Sequence, residues 1–451
     1  MAKSAETRVA FVALGCAKNL VDSEKMLGQL AEADLALIND AAEADVVVIN
    51  TCGFLAAARD EATGIIREMV ALKRKGRLRR VVVAGCLVQR DGESLRRQVP
   101  GIDALVGVNN RDDVVRAVLA DTANARSNRE TDLFMGGYHP FVARDTGRLR
   151  LTPRHYAYLR ISEGCDRKCT FCTIPAIRGP MHGKPPLVIL DEARELVADG
   201  AAEIVVIGQD TTSYGEDLGY APGLAGLLSE LNGVDGLRWL RLMYAYPSVL
   251  TNEMLDAVAR CDRVVNYIDV PLQHINDRIL RAMHRRITRA QTEALLQRIR
   301  DRVPDVRIRT TMIVGFPGET EAEFSELLDF VTGFRFDALG VFPYSLEPDT
   351  PAGRMRGQLP DEVKEERVRR LMLAQQQVAF ALADRDVGRR FEVVVDGTGR
   401  DGTQPARHAG QAPEVDNMTL LTGCDLPTGE MVEVRCTGRR DYDLLATPLR
   451  P

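Results

Sequence analysis

Three cysteines fall within eight residues of "SEGCDRKCTFCTIPAIRG" (162–179): Cys165, Cys169 and Cys172. Thiolates this close together bind soft metals. A structural zinc has four coordination positions, and a cuboidal iron–sulfur cluster has four irons. The loop offers no fourth cysteine. A zinc would need a histidine, and His155 and His182 are near in sequence, but neither has zinc-finger spacing. A ferredoxin loop would read C-x2-C-x2-C with a further cysteine, whereas the spacing here is C-x3-C-x2-C. A second set is spread out. Cys16, Cys52 and Cys86 each sit just past an apolar, β-branched run: "RVAFVALG" (8–15), "ADVVVINT" (44–51) and "RVVVAG" (80–85). If these runs are parallel strands, their carboxyl ends share one edge, where the cysteines converge on a second metal site. The alternative is three unrelated buried cysteines.

The elements that must position these residues follow from the apolar pattern. A chain of 451 residues exceeds one compact core. The three runs are nearly continuous in apolar residues, as buried parallel strands are, and the segments between them have helical spacing. The first region is therefore a doubly wound α/β domain. Residues 121–150 are polar, with several turn formers, and read as a linker. From Tyr156 a second βα series begins, with strands expected at 156–162, 203–208, 237–243, 264–270, 306–315 and 336–342. Six right-handed βα units curl into an open partial barrel whose chemistry sits beyond the strand carboxyl ends. The three-cysteine loop, Gln209-Asp210, Tyr246-Pro247, Gln273-His274, Gly315 to Glu319 and Tyr344-Ser345 all fall there. The last segment has short alternating runs and frequent glycine, the mark of a small all-β barrel. The expected boundaries are 6–122, a linker at 123–150, 151–386 and 387–451.

Composition narrows the classes. Apolar content of 45% and charged content of 27% are those of an ordinary soluble protein. No apolar run approaches the ~18 residues that span a bilayer, and the N-terminus lacks the build of a signal peptide. A cytoplasmic protein without a membrane partner is expected. Nine cysteines, an odd count, then argue for thiols over disulfides. A net charge of −5 gives no general push toward nucleic acid.

The loop ending "CTFCTIP" resembles that of the radical S-adenosylmethionine superfamily, where three cysteines follow the first barrel strand. The resemblance implies a 4Fe–4S cluster whose fourth iron is left for the amino and carboxylate groups of S-adenosylmethionine. An electron passed to the sulfonium then releases a 5′-deoxyadenosyl radical. Over nearly the whole chain the layout resembles the methylthiotransferases, which implies that Cys16, Cys52 and Cys86 hold a second, auxiliary 4Fe–4S cluster with an iron free for a sulfur species. One S-adenosylmethionine would then methylate sulfur and another supply the radical. "GCDRKCTFCTIPAIRG", "IGQDTTSYGEDL", "YIDVPLQH", "EVKEER", "QAPEVDN" and "DYDLLA" resemble the branch that modifies the β-carbon of an aspartate in small-subunit ribosomal protein twelve. The branch acting on a tRNA adenosine typically has Asn-Val in place of Asp210-Thr211. Ribosomal protein twelve, free or in the subunit, an external electron donor and a sulfur donor are the implied partners.

Charge gives a separate hint. Residues 388–451 hold eight Lys or Arg against ten Asp or Glu. A tRNA-gripping barrel should be basic, so an acidic one suits a basic ribosomal protein. Gln209, Asp210, Gly315 and Glu319 are the expected cofactor contacts, "FPGET" (316–320) lacking the Lys-Ser/Thr of a P-loop. Lys184 and Tyr246 are the expected substrate contacts, although Gly183-Lys184 stand where the family usually has Ser-Arg. No catalytic residue is assigned. Cys261, Cys424 and Cys436 read as structural, and for His274 a hydrogen-bonding role is at least as good as a catalytic one. The competing class is a non-catalytic, zinc-stabilised protein that binds the ribosome or RNA.

Overall fold

The computed structural model describes residues 7–120, 131–137 and 144–449. Strands β1 (Arg8–Ala13), β2 (Ala36–Ile38), β3 (Val46–Thr51), β4 (Arg80–Gly85), β5 (Ala104–Val106) and β6 (Asp132–Phe134) form a parallel sheet in the order β2-β1-β3-β4-β5-β6. Along β3, Val46 and Val48 pack on one face with Met26 and Leu30. Val47 and Ile49 pack on the other with Ile66 and Leu87. Successive residues of a strand point to opposite faces, so a run apolar throughout needs cover on both. Helices α1 (Ala17–Glu32), α2 (Ala56–Arg74) and α3 (Cys86–Gln98) supply it.

The expected linker needs correction. Asp132–Phe134 adds β6 to the edge of β5, pairing Val106 with Phe134, and Arg80 binds Asp132. Asp145 in the same segment is buried among cations. A three-residue strand, "DLF", is too short to show a period. Other parts of that segment lie outside the described residues.

The second sheet holds β7 (Tyr156–Arg160), then, after a two-residue antiparallel ribbon of β8 (Ser162–Glu163) and β9 (His182–Gly183), β10 (Glu203–Ile207), β11 (Trp239–Leu242), β12 (Val264–Asp269), β13 (Arg307–Val314) and β14 (Ala338–Pro343). Its order, β14-β13-β12-β11-β10-β7, is parallel throughout and does not close, giving the partial barrel expected. Helices cover its outer face. Tyr156, Tyr158, Val205, Trp239 and Tyr267 meet Val21 of α1 and Val394 and Ala412 of the C-terminal unit in one cluster. The C-terminal unit is a closed barrel of β15 (Arg390–Val395), β16 (Thr403–His408), β17 (Thr419–Thr422), β18 (Met431–Arg440) and β19 (Asp443–Pro448). Among the described residues no helix is long and apolar enough to cross a membrane.

Candidate active site

The sharp turns leaving β1, β3 and β4 are packed against one another. Gly15 and Gly85 have φ of 100° and 97°, left-handed values that favour glycine. A Cβ on Gly15 would come within 3.0 Å of the Cys52 Cβ, and one on Gly53 within 2.6 Å of the Cys86 carbonyl oxygen. The small residues beside each cysteine are therefore a steric requirement for bringing the three turns together.

The triad of Cys165, Cys169 and Cys172, the core triad of the second sheet, is held just as firmly. Gly164, with φ of 76°, passes so close to Pro180 that a Cβ would lie 2.1 Å from its carbonyl oxygen, and the Cys165 amide donates to the Gly179 carbonyl at 3.1 Å. Thr170 donates through its hydroxyl to Ala282 at 2.8 Å. Asp210 accepts from Arg167 of the loop at 2.7 Å.

Both triads open into one cavity of about 520 Å³, within the range of small-molecule sites. All six cysteines line it, with Lys18, Arg167, Arg178, Arg285 and Arg309, and its described walls hold no Asp, Glu or His. Six thiols and five cations in one hollow make it a place for anionic contents. All nine cysteines are free thiols. Burial pushes the thiols of Cys165 to about 11 and of Cys86 and Cys172 to about 12, and raises Cys52. Enclosure would also raise Cys16, but Lys18, Arg178 and the amides of Asn19 and Lys18 bring it below the ordinary range. Among the described residues no three His, Cys, Asp or Glu side chains are grouped to hold a single ion. A cuboidal cluster asks for something else, since each thiolate binds a different iron. Three cysteines per site, soft donors in a cationic hollow, fit such a cluster.

Tyr246 lies between Arg167 and Arg285, whose guanidiniums are 4.5 and 4.3 Å from its ring centre, and Arg285 points Nη1 at the Cys169 sulfur at 3.6 Å. Gln209 lines the cavity and donates to Glu163 at 2.6 Å. Gln273 and Tyr344 line it too. Among the described residues the amide oxygens of Gln209 and Gln273 and Nε of Arg285 are buried without hydrogen-bond partners. Tyr244 and Gln273 have φ of 61° and 77°, and strained backbone of this kind gathers at functional sites.

Several expected contacts lie elsewhere. Asp210, Gly315, Glu319 and Lys184 are not among the cavity walls. Asp210 steadies the cysteine loop through Arg167. The backbone at Gly315 abuts the Lys364 side chain, and Glu319 turns inward to accept from the Phe316 amide at 3.0 Å and from Arg367 at 2.9 Å. Lys184 has no exposed surface, and its ammonium binds Asp145 at 2.7 Å and Glu192 at 2.6 Å. A buried lysine between two carboxylates is a structural bridge, so the substrate contact expected there is corrected. His155 is engaged by Asp396 at 2.8 Å, and His182 Nδ1 lies 3.0 Å from the Pro180 carbonyl oxygen. Neither lines the cavity, which leaves the zinc reading without its histidine. Cys261, Cys424 and Cys436 lie outside the cavity walls as expected. His274 is buried, and burial lowers its pKa to about 3; its Nδ1 accepts from the Asn276 amide.

The charge hint weakens as well. Glu414 binds the hydroxyls of Tyr156 and Tyr158, Asp416 that of Tyr267, and Asp396 binds His155 and Arg407. Three acids and Arg407 are thus engaged at the core, and these account for the acidic excess of the barrel segment. Arg178, Arg285, Asn19 and Tyr244 were missed. Only Arg178 had a signal in sequence, its place six residues after Cys172.

The chain is 44% identical over 441 residues to the ribosomal protein uS12 methylthiotransferase RimO of Anaeromyxobacter sp. (strain K), covering 97% of this chain and 92% of that protein. It belongs to the ribosomal protein uS12 methylthiotransferase family. The protein of the same name from Symbiobacterium thermophilum is 45% identical, covering 98% and 91%. Residues 8–107 match the Uncharacterized protein family UPF0004, 159–331 the Radical SAM superfamily and 387–449 the TRAM domain. The radical S-adenosylmethionine methyltransferase TsrM from Kitasatospora setae shares the fold, with a TM-score of 0.56 and 18% identity over 78% of this chain and 75% of that one.

Proposed function

We propose that the chain is an enzyme that adds a methylthio group to the β-carbon of an aspartate in ribosomal protein uS12, at the cavity between the two cysteine triads. Cys165, Cys169 and Cys172 hold one 4Fe–4S cluster, and Cys16, Cys52 and Cys86 hold the other. When bound, the clusters and S-adenosylmethionine supply a hydrogen-abstracting radical and a sulfur for transfer. The observation that carries this reading is the opening of both triads into one cavity whose described walls contain no carboxylate or imidazole.

The residues of the chain have distinct tasks in this scheme. Arg167, fixed by Asp210, and Arg285 clamp Tyr246 and stiffen the wall beside Cys169. Gln209 and Gln273 line the cavity with amide side chains that can orient a bound nucleoside or amino acid. A substrate carboxylate gains from the positive charge of Arg285 on the cavity wall. Loop residues 411–417 bring Val415 of the C-terminal unit to the cavity, giving a protein substrate a surface to meet beside the reacting carbon. The N-terminal unit runs from the expected start at residue 6 through β6, followed by units at 151–386 and 387–451; a ribosomal partner favours a cytoplasmic enzyme supplied by an external electron donor and a sulfur donor.

The test is to offer uS12, small ribosomal subunits and tRNA to the reconstituted enzyme. A mass gain of one methylthio group on one uS12 aspartate, with none on tRNA, is expected. Modification of tRNA alone overturns the reading.

A further inference from the structure

The helix Ile174–Arg178 begins two residues after Cys172 and ends with its guanidinium at the other triad. Arg178 is 2% exposed. Its Nη2 lies 3.2 Å from the Cys86 sulfur, 2.7 Å from Asn19 Oδ1 and 3.0 Å from Asp22, and its Nη1 lies 2.8 Å from Glu163. Glu163 in turn accepts from Gln209 on the cavity wall. One unbroken set of hydrogen bonds therefore runs from Cys86, through Arg178 and Glu163, to Gln209. The short helix ties the radical-generating loop directly to a sulfur of the N-terminal triad.

We infer that Arg178 is a positioning residue for the metal centre of the N-terminal triad, donating to the Cys86 sulfur, raising that centre's reduction potential and fixing the two triads in register. Hydrogen bonds to ligating sulfurs and nearby positive charge both favour the reduced, more negative state of a cluster. Removing Arg178 takes away both and leaves Asp22, whose charge also acts on Cys86, without this cation. The same arrangement recurs at the core triad, where Arg285 approaches the Cys169 sulfur at 3.6 Å. Each triad thus has one buried arginine directed at one of its sulfurs. The inference rests on the N-terminal triad holding a cluster, as proposed above.

The experiment uses the full chain with Cys165, Cys169 and Cys172 changed to Ala, so that only the N-terminal centre gives a signal. After anaerobic loading with iron and sulfide, its midpoint potential is read by redox titration followed by electron paramagnetic resonance. A parent that takes up no iron fails the cluster assignment itself, before Arg178 is addressed. In a loaded parent, Arg178→Gln is expected to move the potential to more negative values and to alter the spectrum. Arg178→Lys, which keeps the charge but loses the planar fork, should move it less. Arg111→Gln is the control, because Arg111 binds Asp22 and Asp145 in the same buried group at 3.2 and 2.8 Å without touching Cys86. An unmoved potential in whichever Arg178 variant loads, or an equal shift in Arg111→Gln, overturns the inference. Loss of iron from both Arg178 variants with circular dichroism unchanged supports it. Loss of iron together with loss of the fold counts against it, as the mark of a merely structural role.

Discussion

Changing Lys184 to Met keeps the length of the side chain and removes the buried ammonium between Asp145 and Glu192. The two carboxylates are not left in the same state. Asp145 keeps Arg111 and Arg160, each at 2.8 Å. Among the described residues Glu192 keeps only the Asp145 amide, at 2.7 Å. Breaking a buried pair costs about 3–5 kcal/mol when one charge is stranded. With one of the two carboxylates still paired, the lower end, about 3 kcal/mol, is expected. Trp239 is the only tryptophan and is buried in the same sheet as β7 and β10, so its fluorescence reports the unfolding of that unit in urea. A drop of roughly 1–2 M in the midpoint follows from ordinary denaturant slopes. Adding Glu192→Gln should restore part of the loss, giving a measurable coupling in a double-mutant cycle. A Lys184→Met protein with an unmoved midpoint and lost turnover would refute the structural assignment and return Lys184 to the substrate.

At the first triad, Gly85→Ala should cost about 1–3 kcal/mol and abolish iron uptake there, because a Cβ would meet Asn50 Oδ1 at 2.2 Å and the Thr51 carbonyl oxygen at 2.7 Å with φ at 97°; iron counting on the purified variant checks it. Acid should unfold the core unit cooperatively. Burial would raise Asp22, Asp145 and Glu163, but Arg160, Arg178, Arg111 and Lys184 hold all three below their ordinary values. Carboxylates depressed in the folded state contribute stability above their unfolded pKa, about 4, and lose it as pH falls further. Trp239 fluorescence should show that slope, and Asp145→Asn should flatten it. Replacing Cys165, Cys169 and Cys172 by Ala should end 5′-deoxyadenosine formation while iron at the other triad remains, and chromatography with iron analysis would show both.

Much of this architecture could be read from strand periodicity. The six strands of the partial barrel and β1, β3 and β4 are apolar runs bounded by turn residues, and Gly-Cys at two of the three N-terminal strand ends announced the tight packing later seen at Gly15 and Gly85. The short strands β2, β5 and β6 were not legible, because they have only three residues each. Lys184 was misjudged for a different reason. Its charge is visible in sequence, but its partner Asp145 lies in a polar segment with no period, 39 residues away. Glu319 followed the same course: its position at a strand end suggested an adenosyl contact, while Arg367, 48 residues on, draws the carboxylate inward. The guanidinium contacts of Arg178 and Arg285 depend on chain crossings that no local pattern encodes.

The central claim is that two triads of cysteines, facing one cavity, hold two clusters. Iron and sulfide counting with Mössbauer spectroscopy on anaerobically reconstituted protein addresses it most directly, taken on the parent and on each triple Cys→Ala variant. About eight irons in the parent and about four in either variant, all in cuboidal clusters, are predicted. A colourless parent holding stoichiometric zinc, or iron that disappears from both sites when either triad alone is removed, would contradict it.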